Sequence, residues 1–145
     1  MSLGFDFYGL IHIIFRMQDQ IQLLQFLICS EFKQEKQDGY TAEMIHSNIY
    51  TNRFPYHFPK TFVVTCWRKD KRFHKEVIEY SADYGETMKS PPMDIEPVTS
   101  SVLFRWHKHQ FPTELSISKP TILTVRVILD WKTVFESYLM IEEAP

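Results

Sequence analysis

After residue 16 the sequence breaks into apolar runs of roughly 7 to 11 residues, each closed by turn chemistry. That spacing suits a β-sandwich or barrel and leaves no room for the helices of βαβ units. Gln22 to Phe32 leads into the turn pair Asp38-Gly39, a hairpin signal, and Thr41 to Thr51 is the second run, with weakly segregated faces. Phe54-Pro55 and Phe58-Pro59 interrupt the pattern, because proline cannot donate to a ladder, so a crossover loop is expected there. Thr61 to Trp67 follows, with Phe62, Val64 and Cys66 on one face, and the charged run Arg68 to Arg72 is expected to turn it into a partner strand at Phe73 to Tyr80.

Residues 89 to 99, with Pro91, Pro92 and Pro97, predict a long loop or edge segment. Ser101 to Phe111 alternates most clearly, and its apolar members Val102, Phe104 and Trp106 are expected to face the core while Arg105, His107 and His109 face solvent. The last hairpin pairs Thr121 to Leu129 with Thr133 to Ile141, and Asp130-Trp131-Lys132 supplies its turn. The expectation is an all-β fold, an antiparallel two-sheet β-sandwich of about eight strands over residues 17–145, preceded by a short N-terminal appendage, residues 1–16.

With 145 residues, 44% of them hydrophobic and 15% aromatic, the chain can bury one sizeable core without metal or disulfides. The formal net charge of −2 provides no field for a phosphate backbone or an anionic bilayer, so neither nucleic acid nor membrane is expected as a partner. Leu10 to Phe15 is too short to span a bilayer. Cys29 and Cys66 each sit in an apolar run, and no hydrophobic leader with a small-residue cleavage site precedes them, so reduced thiols in a cytoplasmic protein are expected.

The order of Phe26-Leu27-Ile28-Cys29-Ser30, then Ile45-His46-Ser47-Asn48-Ile49-Tyr50, then a phenylalanine-proline pair and an apolar strand resembles a family of small uncharacterised bacterial proteins. Those proteins look like C2-type or immunoglobulin-type β-sandwiches, and the resemblance covers about residues 20 to 142. It implies a fold and carries no catalytic residue with it.

Candidate sites are few. His107 and His109, two apart on a strand, point to one face and could supply two metal ligands, with a third from His46, His57, His74 or a carboxylate on a neighbouring strand. A solvated polar face is the plainer reading. Neither cysteine sits where a thiolate is stabilised, so buried structural thiols are expected in place of a nucleophile. The loop aspartates Asp38, Asp70, Asp83, Asp94 and Asp130 are single and mostly beside cations, which argues against calcium. Trp67 and Trp131 flank turns and suggest sugar stacking, whereas Trp106 alternates with core residues. Five cations between Arg68 and Lys75 read as a charged hairpin turn guarding an edge.

No cofactor, no metal and no catalytic residue is therefore assigned. The expected role is a non-catalytic protein-interaction or adaptor domain, with a ligand-binding sandwich for carbohydrate or metal as the alternative. The segment holding Phe7, Leu10, Ile11, Ile13, Ile14 and Phe15 is the expected contact surface, for a protein partner or a second copy in a homodimer.

Overall fold

The computed structural model describes residues 20–36, 39–85 and 87–145. The proposed appendage, with Phe7, Leu10, Ile11, Ile13, Ile14 and Phe15, lies outside the described residues, as does Asp38 of the first turn. The described residues are all-β, with twelve strands in three sheets and no helix.

Numbered in chain order, β1 (Gln22–Gln34), β2 (Tyr40–Ile45), β5 (Phe62–Arg68) and β9 (Phe104–Gln110) form a four-stranded antiparallel sheet in the order β2-β1-β5-β9. A six-stranded sheet runs from β3 (Asn48–Thr51) through β12 (Lys132–Glu143) and β11 (Thr121–Leu129) to β6 (His74–Ser81), whose outer edge carries both β7 (Met88–Lys89) and β8 (Met93–Ile95). The short strands β4 (Tyr56–His57) and β10 (Ser116–Ile117) form the third sheet. Both larger sheets contribute to one apolar core, where Ile28, Val63 and Trp67 of the first meet Ile78, Val125 and Leu139 of the second.

The unbroken apolar run of β5 has a direct cause. Val63 and Trp67 enter the main core, while Phe62 and Val64 pack with Cys29 and Phe32 in a second cluster on the opposite face, so the strand is covered on both sides. The β11–β12 connection is a two-residue turn in which Asp130 and Trp131 both have positive φ, 50° and 70°. That conformation matches the twist of the flanking strands.

Two expectations are corrected. The run Thr41 to Thr51 is two strands: β2 belongs to the four-stranded sheet, and β3 crosses to the other, where it pairs parallel to β12. A segment that changes sheets also changes which side faces inward, so its faces cannot alternate consistently. The Arg68 to Arg72 run makes no hairpin: β5 and β6 lie in different sheets, and Lys69 and Asp70 within the run are buried. The stretch 89 to 99, expected as a loop or edge segment, has both: Met88–Lys89 and Met93–Ile95 are the edge strands β7 and β8 against β6, and residues 96–99 lie in no strand.

Candidate functional site

The register of β9 decides which of its faces is inside. His107 lies opposite Thr65 and His109 opposite Val63, both on the inward face of β5, whereas Trp106 lies opposite Cys66 on the outer face. His107 and His109 are consequently buried, at 6% and 1% exposure, and Phe104 is 49% exposed. The expected facing of His107, His109, Val102 and Phe104 is therefore inverted, while Arg105 is exposed as expected. Trp106 is half-buried against Phe32 and Tyr40 in the second cluster, and Val102 is exposed. Of that alternating row, Trp106 packs in the outer apolar cluster, while Val102 and Phe104 face solvent.

The inward histidines meet a carboxylate from the facing sheet. Glu76 of β6 shares its inward side with His74, Ile78 and Tyr80 and is 0% exposed. His107 Nδ1 lies 2.7 Å and His109 Nε2 2.6 Å from Glu76 Oε1, and Thr65 Oγ1 donates to the same oxygen at 2.9 Å. Trp67 Nε1 donates to Oε2 at 2.6 Å. Burial by itself would raise the Glu76 pKa, but the hydrogen bonds from His107 and His109 outweigh it and hold the carboxyl at about 2.

Sequence reasoning named both histidines and allowed for a carboxylate, yet it did not find Glu76. A signal was present: His74 and Glu76 occupy the same face as Ile78 and Tyr80, two polar residues at the start of an otherwise apolar inward row. His46, His57 and His74, the other candidate ligands, are not part of the group.

Glu76, His107 and His109 present ligand-type atoms all within 4.8 Å of one another. Their outer contacts fit a hydrogen-bonded pin better than a metal centre. A metal-ligating histidine donates its other ring N–H to an acceptor, but His107 Nε2 faces the donor Arg105 Nε at 3.3 Å. The proton of His107 therefore sits on Nδ1, toward Glu76. His109 Nδ1 has no hydrogen-bond partner among the described residues.

A second cluster closes one end of the core. His74 Nε2 lies 2.8 Å from Asp70 Oδ1 and His74 Nδ1 lies 2.5 Å from Asp130 Oδ2. The two loop aspartates, far apart in sequence, thus clasp one imidazole. Asp70 also accepts from the backbone of Ile21 and Arg72, and Asp130 from Lys75 N. Burial acts to lower the His74 pKa, but the hydrogen bonds its ring donates to Asp130 and Asp70 raise it on balance; Asp70, raised by burial, is lowered on balance by Arg72 N and His74. With both ring nitrogens held, His74 has no free position for acid–base chemistry.

The thiols of Cys29 and Cys66 are unpaired and buried, and burial pushes the Cys66 thiol up to about 11 and raises Cys29. This is the reverse of an activated nucleophile. Trp67, expected near the surface, is buried on Glu76, which removes it as a stacking platform; Trp131 is exposed. No described helix is long and apolar enough to cross a membrane.

The sequence matches no protein-family model and no curated protein.

Proposed function

We propose that this chain is a cytoplasmic β-sandwich, its two larger sheets forming the layers, that acts non-catalytically through protein contact, with a second copy of itself as the first partner. One observation carries the reading: two open strand edges border one apolar groove. β1 pairs with β5 from Gln22 but with β2 only from Cys29 onward, so its edge from Gln22 to Leu27 has no strand partner among the described residues. β12 pairs with β3 only from Met140, which leaves its edge from Lys132 to Leu139 open in the same sense. Leu23, Phe26, Trp67, Leu129 and Phe135 line the groove of 470 Å³ beside them.

An open edge beside apolar side chains is the geometry that accepts an added strand. The proposed occupant is the apolar run Leu10 to Phe15 of a second copy, with Phe7 outside it as a further contact. Its six residues equal the length of the free β1 edge, Gln22 to Leu27. Support also comes from the chemistry the interior lacks: apart from His109 Nδ1, every ring nitrogen of the two clusters has a partner among the described residues, and the thiols are buried.

Light scattering on the full chain tests the proposal. A dimer that becomes monomeric in Ile13→Asp and in Leu24→Lys is expected, and a wild-type chain that stays monomeric at high concentration would refute the self-contact. The alternative of metal binding has the convergence of Glu76, His107 and His109 in its favour, and the Arg105 contact against it.

A further inference from the structure

The clasp on His74 reaches as far as the open edge of β1. Asp70 holds His74 Nε2 with Oδ1, at 2.8 Å, and with Oδ2 it accepts the backbone N–H of Ile21 at 3.1 Å. Ile21 directly precedes β1, whose edge from Gln22 to Leu27 has no strand partner among the described residues. Ile21, Leu129 and Val134 line both the apolar groove and a neighbouring pocket of 660 Å³ that contains Asp70, His74 and Asp130. One buried imidazole is thus tied, through one carboxylate, to the head of the edge that would accept a strand.

Both ring nitrogens face carboxylate oxygens, so the clasp is complete only when both carry protons. A neutral ring keeps one N–H and turns a lone pair toward the other carboxylate. The two sides are unequal. Asp130 is fixed to β6 independently of the ring, since its Oδ1 accepts Lys75 N and its own N–H donates to Lys75 O, each at 2.9 Å. Its contact with His74 is also the shorter, 2.5 Å against 2.8 Å. The last proton therefore stays on Nδ1, and Asp70 is left facing the lone pair. Asp70 is 3% exposed, so its oxygen cannot turn to water; the carboxylate must shift, and its bond to Ile21 is disturbed with it. No other charge around the ring takes its place. Lys75 is ion-paired with Asp94 of β8, Glu76 is engaged by His107 and His109, and the residue opposite His74 on β8 is Ile95. Arg72 and Lys132 line the pocket from the two connections, and neither is ion-paired to Asp70 or Asp130 among the described residues.

We propose that His74 is a proton-operated latch on self-assembly: in its charged, doubly bonded form it holds Asp70 on Ile21 and keeps the β1 edge set for an incoming strand, and on losing its proton it releases that edge. The latch rests on the reading of the β1 edge as a strand acceptor. The latched form is the one that presents the open groove, so it is the pre-organised and tighter-binding state. Burial acts against the charge on His74, but its bonds to Asp130 and Asp70 outweigh burial, so the ring keeps its proton to a higher pH than an ordinary histidine. Assembly is therefore favoured below the titration of His74 and weakened above it.

Sedimentation equilibrium of the full chain at about pH 6 and about pH 9, at constant ionic strength, reads the dimer constant on both sides of that titration. Wild type is expected to dimerise about tenfold more tightly at the lower pH, a typical coupling between two sites. His74→Gln, neutral throughout, should show the weaker alkaline constant at both. Should that variant fail to fold, the wild-type ring gives a second measure. Linkage requires the His74 titration midpoint, followed by NMR in dilute monomer and concentrated dimer, to lie about 1 pH unit higher in the dimer. A dimer constant that does not change with pH, or equal midpoints in monomer and dimer, overturns the latch and leaves strand acceptance standing. A chain that is monomeric at every pH overturns both.

Discussion

Trp67 Nε1 donates a 2.6 Å hydrogen bond to Glu76 Oε2, and this contact joins the two larger sheets through their shared core. The other oxygen of Glu76 accepts from three side chains of the opposite sheet, so one carboxylate holds four donors in a place where water does not reach. An arrangement of this kind makes register costly to change, since a slip by one residue on β9 would turn both histidines outward.

Glu76→Gln retains the shape of the side chain but replaces one acceptor oxygen with a donor. Four donors then face a group with one oxygen, and the expected loss is roughly 3–5 kcal/mol, as for breaking a buried ionic contact from one side. Urea unfolding of the variant against wild type measures it. A loss below about 1 kcal/mol, the worth of an ordinary hydrogen bond, would contradict the role given to Glu76.

The same group sets the acid limit of stability. Its folded pKa is depressed from the ordinary 4.5 to about 2, so its contribution is present above the unfolded value and disappears as pH falls through the folded one. The shift corresponds to roughly 3 kcal/mol. Wild-type stability is expected to fall between about pH 4.5 and 2 more steeply than that of Glu76→Gln, in chemical denaturation at a series of pH values.

His74 acts with the opposite sign. Its pKa is raised, so its contribution is complete below the ordinary histidine value and is lost as pH rises through the folded one; Asp70, lowered, contributes above the ordinary aspartate value and is lost as pH falls through its own. The clasp is therefore strongest between about pH 4 and 6.5. The stability difference between wild type and His74→Gln should peak in that window and shrink on both sides, and a difference that keeps growing toward pH 8 would be incompatible with the clasp.

Trp131 occupies a left-handed position at φ 70° with its ring exposed. Trp131→Gly relieves that backbone at a turn that favours Asp-Gly and is expected to stabilise the chain by about 0.5–1 kcal/mol. A thermal melt shifted upward by a few degrees checks it.

No tightly held transition metal is expected at Glu76, His107 and His109, given the donor that Arg105 aims at His107. Elemental analysis of the dialysed protein tests this. About one zinc per chain, lost in His107→Ala with His109→Ala, would turn the cluster into a metal site.

The local chemistry of the chain settled a good deal by itself. Turn residues and apolar runs placed the β11–β12 hairpin and grouped Phe62 with Val64 on one face of β5, because a two-residue period and a turn are properties of neighbouring residues. Strand content follows from the same short-range rules. Which face of β9 points inward does not. Alternation reports that two faces differ, and only the opposing sheet says which one is buried: the polar face went inside because Glu76, thirty-one residues from His107, waits there as an acceptor. His74 with Asp70 and Asp130 is likewise a product of the crossings between sheets, where residues far apart in sequence are brought within reach and burial changes what each charge must find.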